Sequence, residues 1–92
     1  MQPQQSSSHP LYGIAVTAEL LGIPEATLRL FESKGLLTPS RTRGGTRRYS
    51  DDDLTRLRRI TQLRDEGVNL EGIRRVLDLQ DENRELRDEL RA

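Results

Sequence analysis

Residues Arg41-Thr-Arg-Gly-Gly-Thr-Arg-Arg-Tyr49 form a basic segment that decides how the rest of the chain is interpreted. Four arginines flank Gly44 and Gly45, and glycine reaches the positive φ angles of a tight hairpin tip without steric cost. The flanking Thr and Tyr residues suit short strands. We predict a hairpin wing that directs its arginines outward, with phosphates as the natural target. An ordinary basic surface hairpin is the alternative interpretation.

Two short helical patterns precede this segment. The first covers residues 14–21 and stops at Gly22. The second begins at Pro24, where the missing proline N–H is tolerated, and ends before Gly35. Two short helices joined by a three-residue turn with a glycine predict a helix-turn-helix.

Helical geometry assigns an outward face to the second helix. If Leu28 and Phe31 are the buried pair, Arg29 on the outer face could reach a guanine edge or a phosphate, and Leu30 a thymine methyl. The alternative is an ordinary amphipathic helix with a solvated face. The residues predicted to contact DNA from this helix are Ala26, Thr27, Arg29, Leu30 and Ser33.

The segments after the wing predict supporting helices. Pro39 keeps the connector into the wing extended, and Ser50 is a helix N-cap for a third helix over residues 51–66. Gly67 ends that helix, and Asn69 caps a fourth.

The last segment, residues 76–92, has the pattern of a helix that pairs with a partner. Apolar residues and one Asn recur at alternating steps of three and four, which is the seam of a coiled coil, so self-association is expected. Packing against the chain's own core is the alternative, because barely two heptads make a short coiled coil. The seam residues are Val76, Leu79, Asn83, Leu86 and Leu90.

Composition limits the chemistry. The chain has 92 residues, no Cys and one His, with no apolar run long enough to span a membrane, so no metal site, cofactor or membrane association is expected. No group of side chains suggests catalysis, so an enzyme is not expected. The chain is neutral overall, but residues 29–48 carry a net charge of +5 and residues 49–92 one of −3. This distribution suits a protein that meets a polyanion with one face.

These patterns predict a mainly α fold with a small β wing, in which a winged helix-turn-helix is followed by a C-terminal dimerisation helix. Residues 1–10, rich in Gln, Ser and Pro, are predicted to be a disordered tail. Residues 11–75 would form the DNA-binding domain and residues 76–92 the dimerisation helix. No secretion signal is recognisable at the N-terminus, which favours a cytoplasmic protein.

Taken together, the segments resemble the MerR family of bacterial transcription regulators from Tyr12 to about Leu90. The match is carried by Thr27-Leu-Arg-x-Phe-Glu-x-x-Gly-Leu-Leu-x-Pro39, followed by Arg47-Arg-Tyr-Ser50. The segment Asp65-Glu-Gly-Val-Asn-Leu-Glu-Gly-Ile-Arg-Arg75, together with the Gly-Gly pair, is similar to the HspR heat-shock repressor subgroup.

The resemblance implies a homodimer in which both the second helix and the wing meet DNA. It implies that Leu30 replaces a tyrosine common in the family and so cannot donate a hydroxyl to phosphate. Family members that sense metals or drugs carry cysteines or a further domain, so no small-molecule ligand is expected here. A DnaK-type chaperone acting as co-repressor is implied by the resemblance alone. The wing residues expected at DNA are Arg41, Arg43, Gly44, Arg47, Arg48 and Tyr49.

The leading hypothesis is a homodimeric repressor of stress genes that binds double-stranded DNA at an inverted repeat. Substitution of Arg47 or Arg48 by alanine would then weaken binding to all sequences alike, because these side chains are expected to contact phosphates. The alternatives are a protein-interaction adaptor that uses the C-terminal helix, and a DNA-architectural or recombination-accessory protein of the same fold.

Overall fold

The computed structural model describes residues 7–91 and is mainly helical, with one two-stranded sheet. In chain order the elements are α1 (Ile14–Leu21), α2 (Glu25–Ser33), β1 (Ser40–Arg41), β2 (Arg47–Arg48), α3 (Asp51–Asp65) and α4 (Leu70–Arg91). None of the helices in this part of the chain is long and apolar enough to cross a membrane.

The first two helices form the predicted helix-turn-helix. Helix α1 ends at Gly22, which adopts the left-handed conformation at φ 68° and donates its N–H to the carbonyl of Ala18. Pro24 then precedes α2 in extended backbone with φ −65°. The turn is short because Gly22 reverses the chain and Pro24 leads directly into α2.

Residues 40–48 form the wing. Strands β1 and β2 are antiparallel, and Ser40 lies opposite Arg48. The tip closes through hydrogen bonds between Thr42 and Thr46, with 2.8 Å from the Thr46 carbonyl to the Thr42 N–H. Gly45 has a positive φ of 87°. Gly44 is outside the left-handed region, so the expectation of two such glycines is correct for Gly45 alone. One left-handed residue is enough to turn this five-residue loop.

The N-terminal segment is attached to the base of the wing. Tyr12 and Tyr49 form an isolated antiparallel bridge, in which the Tyr49 N–H donates to the Tyr12 carbonyl at 2.7 Å. The Ser7 carbonyl accepts a hydrogen bond from the Asp52 N–H, one of the unpaired donors at the start of α3. The disordered tail over residues 1–10 stays a prediction, and its first six residues lie outside the described part of the chain.

Helices α3 and α4 begin where the sequence predicts. Ser50 and Asp53 form a reciprocal capping box at the start of α3, and the Asn69 side chain accepts a hydrogen bond from the Gly72 N–H at 2.8 Å. Helix α4 then runs without interruption to Arg91. The helix is continuous across the predicted domain boundary between residues 75 and 76, because no Gly or Pro interrupts residues 73–91.

The core lies where α1, α2, α3 and the first two turns of α4 meet. Ile73 and Leu77 are the residues of α4 that are buried in it. From residue 78 onward, the described side chains of α4 are exposed or, at Asp81, half-buried. The buried hydrophobic residues of the cluster are Ala18, Leu28, Phe31, Leu36, Leu37, Tyr49, Leu57, Ile60, Leu63, Ile73 and Leu77.

Candidate nucleic-acid interface

The outer face of α2 is the first part of the candidate site. Leu28 and Phe31 point into the core, as the periodicity predicts. Thr27 is half-buried at the edge of the outer face. The exposed residues of this face are Ala26, Arg29, Leu30 and Ser33.

The polar groups on this face have their partners within α2 itself. The Arg29 guanidinium lies 3.5 Å from the Glu25 carboxylate one turn earlier, and both side chains are about half exposed. A pair of this kind on a helix surface contributes about 0.3–0.5 kcal/mol, so a stronger partner can displace it. The Ser33 hydroxyl donates to the Leu30 carbonyl at 2.7 Å and keeps its lone pairs for accepting.

The wing carries the second part of the site, and its arginines fall into two groups. Arg41 and Arg47, one from each strand, both bind the carboxylate of Glu32 at the end of α2. The distances are 2.7 Å from Arg41 Nη2 to Glu32 Oε2 and 2.6 Å from Arg47 Nε to Glu32 Oε1. Arg41 also donates to the Gly45 carbonyl at 3.0 Å. We call this arrangement the Glu32 clamp.

Electrostatics agree with the geometry of the clamp. The hydrogen bond from Arg47 holds the pKa of the Glu32 carboxyl below its usual value, with a smaller contribution from Arg41 and an opposing one from desolvation. The same hydrogen bond raises the pKa of Arg47. In the sequence, Glu32 lies in the segment that resembles the MerR family and is the one negative charge between Arg29 and Arg48, and no role is predicted for it. The sequence feature that could have indicated this role is the position of Glu32, directly after the buried Phe31 and near the end of the helix that leads into the wing.

The clamp predicts a pH-dependent contribution to stability. A carboxyl whose pKa is lower in the folded chain stabilises the fold above the unfolded pKa of about 4.3, and this stabilisation is lost as pH falls through the folded value. Urea unfolding of the wild type and of Glu32→Gln should therefore differ most near neutral pH and converge in acid. A difference that stays constant down to pH 2 would contradict the clamp.

The remaining wing arginines are placed differently. Arg43 is exposed at the hairpin tip beside Gly44. Arg48 is half-buried near the start of α1, where a Cβ added at Gly13 would lie 3.4 Å from Arg48 Nη1. Arg47 differs from Arg48 in having the Glu32 clamp as its partner. The expectation that alanine at Arg47 or Arg48 weakens binding to all DNA sequences alike stays a prediction.

Tyr49 differs from its predicted position at the surface. Its side chain is 1% exposed and belongs to the core, and its hydroxyl has no hydrogen-bond partner within residues 7–91. Burial raises the pKa of this phenol. The ring lies within the hydrophobic core cluster, and the backbone of Tyr49 pairs with Tyr12 at the base of the wing. In this conformation Tyr49 supports the wing, and its ring is not available at the surface.

The predicted coiled-coil seam begins at the edge of the core and continues along the exposed part of α4. Its residues are Val76, Leu79, Asn83, Leu86 and Leu90. Val76 is half-buried against the core and Asn83 is exposed. Leu79, Leu86 and Leu90 are 65%, 58% and 87% exposed. The alternative to self-association, packing against the chain's own core, is therefore wrong for these three leucines. Their apolar surface is uncovered in the single chain.

A groove of about 460 Å³ separates α3 from α4. Arg56 lies in it and joins three parts of the fold. Its Nε donates to the Leu36 carbonyl at 2.8 Å, and its Nη1 lies 3.2 Å from Asp81 on α4. Within residues 7–91, no three acidic, His or Cys side chains are grouped to hold a metal ion.

Comparison with known proteins agrees with this geometry. Residues 12–80 match the family described as MerR HTH family regulatory protein. The chain is 46% identical over 78 residues to the heat shock protein HspR of Streptomyces coelicolor, a match that covers 84% of the chain and 52% of that protein.

Two solved structures have the same fold. One is the MerR family regulator HiNmlR bound to promoter DNA, which is 36% identical with a TM-score of 0.71, covering 75% of this chain and 53% of that one. The other is the N-terminus of MtaN, the multidrug transporter activator of Bacillus subtilis, which is 31% identical with a TM-score of 0.71, covering 88% and 86%. The chain thus spans about half the length of the HspR relative. On these matches and on its winged helix-turn-helix, the chain belongs to the MerR family of regulatory proteins.

Proposed function

We infer that the chain is a DNA-binding transcriptional regulator that reads a duplex with α2 and grips its backbone with the wing. The observation that carries this inference is the Glu32 clamp, since it ties the basic hairpin to the helix that bears the exposed Arg29. Helix and wing are therefore parts of one surface, as an interface with a polyanion requires. The relative HiNmlR, which carries the same fold, was solved on promoter DNA.

Each exposed group has a defined task in this proposal. Arg29 contacts a guanine edge or a phosphate in the major groove, and the methyl groups of Ala26 and Leu30 allow close approach to bases. Arg43 and Arg48 neutralise backbone phosphates beside that groove. Contacts to phosphate set affinity and salt dependence, whereas contacts to base edges set the sequence preference.

The proposed assembly is a homodimer on an inverted repeat. The uncovered leucines of α4 support it, because two copies of the seam would bury one another's apolar surface. Twofold symmetry would place two α2 helices in successive major grooves. A heteromeric partner on the seam is the second candidate, and it corresponds to the adaptor hypothesis.

The regulated genes are proposed from the relationship to HspR. Identity of 46% over most of the chain supports a repressor of stress and chaperone genes. A DnaK-type chaperone as co-repressor is proposed from the family resemblance alone.

The experiment that tests the function is fluorescence anisotropy with a labelled duplex from the gene's own upstream region and with a scrambled duplex. Tight, selective binding that weakens steeply with salt is expected. Equal and salt-insensitive binding to both duplexes would contradict the proposal and favour the adaptor. In a footprinting experiment, protection of a site within a promoter would indicate a regulator, whereas protection outside promoters would indicate an architectural protein.

Two substitutions should separate phosphate contact from base contact. Arg48→Ala is expected to weaken binding to both duplexes by the same factor and to reduce the log-log salt slope by about 0.9. For a contact to a guanine edge, Arg29→Ala is expected to weaken binding to the upstream duplex by about 1–3 kcal/mol, with little change for the scrambled one. A contact of Arg29 to phosphate would instead weaken binding to both duplexes alike. Arg91→Ala, at the far end of α4, is the control for loss of one positive charge. A change in sequence preference for Arg48→Ala would contradict its role at phosphate.

A further inference from the structure

The Glu32 carboxylate receives hydrogen bonds from both strands of the wing. Its two oxygens accept separately, one from Arg41 on β1 and the other from Arg47 on β2. Arginine and carboxylate form the strongest class of hydrogen bond available to side chains, and the two short distances indicate that both bonds are well formed. Glu32 of α2 therefore contacts both strands of the hairpin.

The wing has few other means of keeping its orientation. Each strand has two residues, and a two-stranded hairpin of this size is marginal on its own. Its base is anchored by the bridge between Tyr12 and Tyr49, but the tip lies beyond that bridge. The Glu32 clamp supplies the contact that fixes the wing against α2.

The clamp also changes which charges the wing offers. Of its four arginines, Arg41 and Arg47 are bound to Glu32, whereas Arg43 is exposed at the tip. A phosphate that recruits Arg41 or Arg47 must replace an internal carboxylate at 2.6–2.7 Å. The net charge that the wing can present to any duplex is thereby lowered by Glu32.

We propose that Glu32 is a positioning residue that determines DNA specificity, because it fixes the wing against α2 and withholds Arg41 and Arg47 from nonspecific phosphate contact. This inference rests on the proposed function. It differs from a merely structural role, because removal of the carboxylate then strengthens binding to unrelated DNA while weakening discrimination.

The test is Glu32→Gln in the full chain, measured with the upstream duplex and the scrambled duplex through a salt series. Gln keeps the size and removes the charge. For the scrambled duplex we expect tighter binding at low salt and a log-log slope steeper by up to about 1.8, which is two phosphates at about 0.9 each. The ratio of affinities for the two duplexes should fall about tenfold. Glu32→Asp should restore part of that ratio.

Glu25→Gln is the matched control, since it removes a carboxylate from the same helix whose partner Arg29 is 3.5 Å away and exposed. It should leave the salt slope for the scrambled duplex much less changed than Glu32→Gln does. Equal loss of binding to both duplexes by Glu32→Gln, with an unchanged slope, would overturn the inference and assign Glu32 a structural role.

A second variant covers the case in which Glu32→Gln does not fold. Arg41→Gln keeps Glu32 and Arg47, and the inference predicts an unchanged slope for the scrambled duplex, because Arg41 is already withheld. A slope reduced by about 0.9 would show that Arg41 contacts phosphate in nonspecific binding and would overturn the inference.

Failure of the proposed function is distinguishable from failure of this inference. If the wild-type chain shows no salt-dependent DNA binding, the proposed function itself is wrong, whatever the effect of substituting Glu32. In the absence of DNA, slow hydrogen exchange of the Arg41 Nη–H and Arg47 Nε–H protons in the wild type, lost in Glu32→Gln, reports the clamp directly. Rapid exchange in the wild type would overturn it.

Discussion

Replacing Leu79 and Leu86 together by glutamate is expected to convert the proposed dimer into monomers and to weaken binding to an inverted-repeat duplex at least about 100-fold, or about 2.7 kcal/mol. Both side chains are more than half exposed in the single chain, at 65% and 58%. Complete burial of a leucine contributes about 1.5–3 kcal/mol, and a twofold interface loses four leucines at once. Glutamate adds the cost of placing like charges across the seam.

Sedimentation equilibrium measures the association, and anisotropy with the inverted-repeat duplex measures the loss of binding. The control is Val16→Glu with Leu20→Glu, because these residues form a similar apolar pair on α1 with exposures of 48% and 53%. That variant should sediment as the wild type does. A Leu79 and Leu86 variant that remains dimeric would place the self-association surface elsewhere.

Replacing Phe31 by alanine is expected to lower the free energy of unfolding by about 3–5 kcal/mol. The ring is fully buried between α2 and the rest of the core, and the Arg64 guanidinium lies 5.8 Å from its centroid. The substitution leaves a cavity and removes this cation–π contact. Domains of this size are stable by about 5–15 kcal/mol, so a large part of the variant would be unfolded under mild denaturant.

Urea unfolding followed by circular dichroism measures the effect. Leu30→Ala is the control next to it, since Leu30 lies on the exposed face of α2 and its loss should change stability by about 0.5 kcal/mol. Equal unfolding midpoints for the two variants would contradict the assignment of Phe31 to the core and Leu30 to the surface.

The helices could be predicted closely because their boundaries depend on residues that are near one another in sequence. Gly22 ends α1 and Ser50 caps α3 through groups within four positions of the residues they satisfy. The outer face of α2 follows from helical periodicity in the same way. The amino-acid sequence by itself therefore determined the helix-turn-helix, the hairpin and the exposed positions of Ala26 and Arg29.

The roles within the wing were decided by tertiary structure. Arg41 and Arg47 have the same local sequence character as Arg43, yet they bind a carboxylate 9 and 15 residues away, respectively. Tyr49 carries a polar hydroxyl in a basic segment, yet its ring lies in the core because distant segments surround it. Sequence periodicity and caps report interactions within about one helical turn, whereas a side chain's partner and burial depend on which distant residues the fold brings beside it.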